Sequence, residues 1–255
     1  MVIAQATTKG WRPLEAQTPV RIWMELILIS VRISQDVKMN KRDVINRTAQ
    51  FVKGKLDGEG SGHDWWHVYL VWQNAKKISK KEGGDMLVVE LAALLHDISD
   101  FKFNKSGNES EGADIAQKWL EKLGVQRSVI DQVSYIVGNV SFKGAGVDHT
   151  MKTLEGKIVW DADKLDIGAI GIARTFAYGG YKGRPIYDPR IKPKLAKNFE
   201  EYKKNRDTSI NHIYEKVLLL KDRMQTKTGK RIAIQRDKFL RSFLKEFFDE
   251  WNGLR

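Results

Sequence analysis

Met86-Leu-Val-Val-Glu-Leu-Ala-Ala-Leu-Leu-His-Asp97 decides the fold of this chain. Its first ten residues are apolar on nearly every side of a helix, and Asp85 stands just before them as a candidate cap. A helix of that kind belongs at the centre of a helical body, so residues 85–98 are expected to form the central buried helix. The last two residues break with the apolar setting. A histidine beside an aspartate is tolerated at the end of a buried segment when the two are paired, hydrogen-bonded or bound to a metal.

The neighbouring segments also read as helix. Residues 43–53 have apolar positions at 44, 45, 49, 51 and 52, close to helical spacing. A glycine-rich break follows at 54–62. Asp64 could cap the next helix, which runs to about Lys81 and stops at Gly83-Gly84. Further helices are expected at 108–123, 126–137, 153–178 (with close packing or a break at Gly168 and Gly171), 209–225 and 230–251. The last places Phe239, Phe243, Leu244, Phe247, Phe248 and Trp251 on one side, which reads as core. No strand pattern of consequence and no internal repeat is present. The expected fold is all-α: a helical bundle with a basic Gly/Pro-containing loop and C-terminal helices.

Three of the five prolines, Pro185, Pro189 and Pro193, fall in or just beyond a glycine-containing stretch that starts at Gly179. An inserted loop at about 179–207 is therefore expected, either ordered or a mobile lid, and a basic loop of this length in a helical domain is often functional. With 255 residues the chain can bury a real core. Residues 22–31 are apolar but contain Glu25 and are too short to span a bilayer, so no membrane association is expected. Residues 1–38 are read as an appendage, or as following an upstream start that is rarely used, with the main domain at 39–255. Cysteine is absent, which removes disulfides, thiolate zinc sites and cysteine nucleophiles; it suits a reducing cytosol, and a cytoplasmic location is the expectation.

The net charge of +12 favours phosphate-bearing partners, although simple solubility explains a general surplus equally well. The basic residues are densest between Tyr181 and Arg206.

Polar residues able to bind a cation recur in apolar surroundings. His63 and His67 are four apart, which places them on one helix face. His96 and Asp97 follow the central helix, and Asp161 and Asp163 follow Lys157-Ile-Val-Trp160. Each alone has an ordinary structural explanation; the ordered set points to a divalent cation.

The stretches Gly62-His-Asp-Trp-Trp-His67, Leu94-Leu-His-Asp-Ile98, Asp161-Ala-Asp-Lys-Leu165 and Gly168-Ala-Ile-Gly-Ile-Ala-Arg174 resemble the HD-domain metal-dependent phosphohydrolases of the Gly-His-Asp-Trp-x-His type. The resemblance runs from about Met39 onward. It implies His67, His96, Asp97 and Asp163 as ligands of one divalent metal, the last chosen over Asp161 because a basic-Leu pair follows it. Leu70-Val71 stands where an Arg-Val pair is common, which leaves the ligands intact but removes a possible substrate contact. His63 becomes a neighbour of the site. Two imidazoles and two carboxylates suit Mn²⁺, Mg²⁺, Co²⁺, Fe²⁺ or Ni²⁺ as much as Zn²⁺.

Asp100, one helical turn beyond His96, is the acid/base candidate, with a helix-terminal polar residue as the alternative. His63, Lys143, Arg184, His212 and Lys216 are candidates for contacts to a phosphorylated substrate. The expected activity is hydrolysis of a phosphate ester or anhydride in a small nucleotide, foremost a (deoxy)nucleoside triphosphate. Hydrolysis of a signalling nucleotide such as ppGpp or a cyclic nucleotide is the second enzymatic reading. The rival from another class is a basic nucleic-acid-binding protein with a structural metal, tracking phosphates along 181–206. Oligomeric state is not readable from the sequence.

Overall fold

The computed structural model describes residues 39–58, 60, 62–99, 110–204 and 207–255; the expected appendage at 1–38 and Asp100 lie outside the described residues. The described residues are helical and contain no strand. In chain order they form α1 (Lys41–Leu56), α2 (Trp65–Glu82), α3 (Met86–Leu95), α4 (Glu111–Lys122), α5 (Arg127–Asn139), α6 (Leu154–Lys164), α7 (Ala169–Tyr181) and α8 (Phe199–Lys204). A bent helix α9 (residues 209–223) and the long α10 (Lys227–Trp251) complete the body. None of these helices is long and apolar enough to cross a membrane.

Helix α3 is the centre. Asp85 caps it by accepting from the Leu87 N–H, and α1, α2, α5 and α6 pack around it. Val88, Val89 and Leu91 to Leu95 are fully buried. Burial of one leucine contributes roughly 1.5–3 kcal/mol, so this run of apolar side chains holds the surrounding helices in place. Side-chain caps also fix where α2, α6 and α10 begin: Asp64 accepts from the His67 N–H, Thr153 from Gly156 and Thr226 from Gly229.

Three expectations change in the structure. The single helix expected over 153–178 breaks between Lys164 and Ala169, giving α6 and α7. Gly171 permits the break: a Cβ there would stand 2.1 Å from the Asp166 carbonyl oxygen, an approach only glycine allows. The loop expected from 179 narrows to residues 182–198, because α7 includes Gly179 and Gly180 and residues 199–204 form α8. The aromatic stripe of α10 is not uniformly core. Leu240 and Leu244 are buried, but Phe239 and Trp251 are more than half exposed. Phe247, Phe248 and Trp251 instead gather around Tyr187 of the loop, with ring centroids 5.0–6.1 Å away.

The segment 182–198 is a strap, hydrogen-bonded along its length. The Pro185 and Ile186 carbonyls accept from Ser209 and Ile210, and the Ile191 carbonyl accepts from the Asn211 side chain. The Lys194 N–H donates to the Glu215 carboxylate, and the Ala196 carbonyl accepts from Gly146. Within α9 the turn Ile213–Val217 is π-helical, wider by one residue than the α-helical turns beside it.

Candidate metal centre

The ends of three helices meet at one point. His67 lies in the first turn of α2, where the Asp64 cap fixes the start of the helix. His96 and Asp97 follow the last turn of α3, and Asp163 lies in the last turn of α6. His67, His96 and Asp97 are buried, and Asp163 is largely so.

Four donor atoms converge there. His67 Nε2 is 3.2 Å from His96 Nε2, 3.3 Å from Asp97 Oδ2 and 3.5 Å from Asp163 Oδ1. His96 Nε2 is 3.4 Å from Asp97 Oδ2 and 3.8 Å from Asp163 Oδ1. Atoms bound to a common ion at ~2.1 Å stand about 3.0 Å apart at a right angle and about 3.4 Å apart at a tetrahedral angle. The observed spacings suit shared coordination.

Hydrogen-bond chemistry supports the same fit. His96 Nδ1 is 2.8 Å from the Ala93 carbonyl, which can only accept, so Nδ1 carries the proton and a neutral His96 points its Nε2 lone pair into the cluster. His67 Nδ1 makes no hydrogen bond and faces Asp166 Oδ2 at 3.4 Å. Both carboxylates are held ionised. Burial raises the proton affinity of Asp97, but the charge of His96 and the bonds to His63 and His67 outweigh it and keep the group well below the usual carboxylate range. For Asp163 burial is likewise overcome, here by Lys164 first and then by His67 and His96. Lys164 pairs with Asp163 Oδ2 and donates to the Val140 carbonyl, leaving Oδ1 facing the histidines. Two buried anions beside imidazole lone pairs form a donor set that a divalent cation completes.

Asp161 is turned elsewhere. It is fully buried, and its carboxylate accepts from the Gln225 N–H, the Thr226 N–H and the Thr226 hydroxyl at 2.7–2.8 Å. Burial pushes its pKa up to about 6 against the pull of these three bonds. Its work is to tie the start of α10 to α6.

A second set of partners adjoins the cluster. His63 Nδ1 is 2.9 Å from Asp97 Oδ2 and 3.1 Å from an Arg174 guanidinium nitrogen. Arg174 also pairs with Asp166 and donates through Nε to the Gly62 carbonyl at 2.6 Å.

A cavity opens over Asp97 and Asp163. Of the residues expected to touch substrate, His63, Arg184, His212 and Lys216 line it. Lys143 is not among the lining residues; its Nζ lies 5.6 Å over the Phe199 ring, and its backbone N–H donates to His149. Lys203 adds another cation, and Phe142, Tyr178 and Tyr202 supply aromatic faces. Lys216 Nζ stands 5.3 Å over Phe142, and the Arg184 guanidinium 5.7 Å over Tyr178.

Sequence reasoning did not single out Arg174, Asp166, Lys203 or the tyrosines. Arg174 and Asp166 belong to polar-containing stretches beside the helix break, but only the break brings them to His63.

A family model of the HD domain matches residues 65–168. YpgQ of Bacillus subtilis (strain 168) is 34% identical over 206 residues, 80% of this chain and 92% of that protein. A crystal structure of YpgQ in complex with ADP superposes with a TM-score of 0.65 at 30% identity, covering 83% of this chain and 100% of that one. An HD-superfamily hydrolase of Bacillus thuringiensis is 41% identical with a TM-score of 0.64, covering 84% and 99% of the two chains. A Lactobacillus plantarum protein gives a TM-score of 0.75 at 32% identity, covering 84% and 100%.

Proposed function

Because the chain belongs to the HD-domain superfamily, we propose that it is a metal-dependent phosphohydrolase acting on a small nucleotide, foremost a (deoxy)nucleoside triphosphate. The observation that carries this reading is the convergence of His67 Nε2, His96 Nε2, Asp97 Oδ2 and Asp163 Oδ1 at the floor of a cavity with cationic and aromatic walls.

His67, His96, Asp97 and Asp163 would hold one divalent ion. When bound, such an ion supplies Lewis acidity, lowering the pKa of water and offsetting charge on a phosphoryl group. The chain's own residues do the rest. Arg184, Lys203 and Lys216 bind the phosphates not undergoing attack, arginine through its paired N–H groups and lysine as a point charge. Tyr178, Tyr202 and Phe142 offer faces for a base or ribose, and the ADP held by the related YpgQ favours a nucleotide over other phosphorylated substrates. His63 hydrogen-bonds Asp97 and fixes the direction of its carboxylate. Asp100, three residues after Asp97, is our candidate for moving the proton of the attacking water, on the family resemblance alone.

The test is phosphate and pyrophosphate release from a nucleotide panel, using metal-stripped protein resupplied with Mn²⁺, Mg²⁺, Co²⁺, Ni²⁺ or Zn²⁺. Turnover that needs metal and disappears in Asp97→Ala supports the proposal. Turnover that survives Asp97→Ala overturns it. Pyrophosphate with a nucleoside monophosphate indicates triphosphate cleavage, whereas opening of a phosphodiester or loss of a 3′ pyrophosphate indicates a signalling nucleotide.

A further inference from the structure

Two overlapping groups of side chains could each hold an ion. One is His67, His96 and Asp163; the other is His63, His67 and Asp97, and in each the candidate ligand atoms lie within 4.8 Å of one another. The second group has the spacing of a pair of adjacent ligands, 2.9 Å between His63 Nδ1 and Asp97 Oδ2. Asp166, 3.4 Å from His67 on the same side, would add a further carboxylate. On ligand chemistry alone this is the outline of a two-ion centre.

A guanidinium already stands there. Arg174 reaches His63 Nδ1 at 3.1 Å, pairs with Asp166 and anchors through Nε on the Gly62 carbonyl at 2.6 Å. The anchor is built into the backbone: Gly62 has φ +83°, a conformation that L side chains rarely adopt, and this turn carries the carbonyl that Arg174 uses. The guanidinium is charged at every physiological pH and cannot be titrated away. A divalent ion bound to His63, Asp97 and Asp166 would have to displace it from both Asp166 and His63, or share their space against like-charge repulsion.

We propose that Arg174 occupies the position of a second cation, so that the centre takes one metal ion and the guanidinium supplies the other positive charge facing the cavity. The inference rests on the metal reading above and deepens it. His63 is then a partner of Asp97 and Arg174, not a metal ligand, and Arg174 is a positioning residue for the pair.

The test is ion stoichiometry, read by equilibrium dialysis of the metal-stripped full-length chain against Mn²⁺ with elemental analysis, and by electron paramagnetic resonance of the bound ion. The wild type and Arg174→Lys should each bind one Mn²⁺ per chain, with an uncoupled spectrum. Arg174→Gln should bind a second, weaker Mn²⁺, spin-coupled to the first through the shared Asp97. Arg174→Gln combined with His63→Ala should return to one. His63→Ala alone should keep the single ion. Two ions in the wild type, one ion in folded Arg174→Gln, or no ion in folded His63→Ala would each overturn the inference, and the last measurement stands even where Arg174→Gln does not fold. A wild type that binds no ion at all refutes the metal centre itself, an outcome distinct from all of these.

Discussion

Asp161 offers a quantitative check on the polar interior next to the candidate centre. Its carboxylate is fully buried, accepts three hydrogen bonds from Gln225 and Thr226, and has its pKa pushed up from 3.8 to about 6. Between these two values the native chain binds more protons than the unfolded chain, so this group makes stability fall as pH rises through the window. Its ionisation costs roughly 1.6 kcal/mol at pH 5 and roughly 3 kcal/mol at pH 8, from the linkage relation and about 1.36 kcal/mol per unit of pKa. Asp161→Asn keeps the shape and cannot ionise. Other titrating groups are common to both proteins and cancel in the comparison. The stability of the wild type minus that of Asp161→Asn should therefore fall by about 1.4 kcal/mol between pH 5 and pH 8. Urea unfolding in the presence of a chelator, followed by tryptophan fluorescence, measures it, and Trp160 is a fully buried reporter on the same helix. A difference that stays flat, or rises with pH, refutes the dominance of burial over the three hydrogen bonds.

Other consequences are equally accessible. His67→Ala or Asp97→Ala should abolish tight Mn²⁺ binding, seen by calorimetry; unchanged affinity would remove the residue from the ligand set. Saturating the wild type with its metal at 100 times the dissociation constant should stabilise the fold by about 2.7 kcal/mol, and a chelator should reverse this in a thermal melt. Leu91→Ala, at the fully buried centre of α3, should cost about 2–5 kcal/mol in urea unfolding. His149 is held down to about 4 by burial first and then by Lys164 and Arg223, so its ring resonances should not titrate between pH 8 and pH 5. The unfolded chain binds a proton there that the native chain refuses. The contribution of His149 is therefore complete above pH 6.5 and lost as pH falls toward 4, and an NMR midpoint near 6.5 would contradict it.

The parts of the fold that were legible in the sequence depend on local physics. The apolar run from Met86 to Leu95 forms a buried central helix because nearly every side of it is apolar, and Asp64 and Asp85 start their helices because a carboxylate satisfies first-turn N–H groups within three residues. The meeting of His67, His96, Asp97 and Asp163 was anticipated from their apolar settings and from family resemblance. What escaped depends on distant packing. Arg174 finds His63 only because α6 and α7 part at Leu165–Gly168, where Gly171 admits the Asp166 carbonyl. Phe239 and Trp251 share a helical stripe with Leu240 and Leu244, yet periodicity does not say how much of that stripe the rest of the body covers. Lys143 is close in sequence to Ser141 and Phe142 of the cavity wall, but its ammonium lies over Phe199.

The wide turn Ile213–Val217 gives the cavity wall a dependence on length. His212, Lys216, Val217 and Leu220 all face the cavity across this one turn. Removing one codon within it would let the helix relax to regular α geometry while rotating everything beyond it by about 100°. The wall would keep its kinds of side chain and lose their aim, and Glu215, which holds the strap at Lys194, would turn with them. A frame-preserving deletion at this turn should therefore disable substrate binding as thoroughly as loss of the lysine, in a protein that still folds as a bundle.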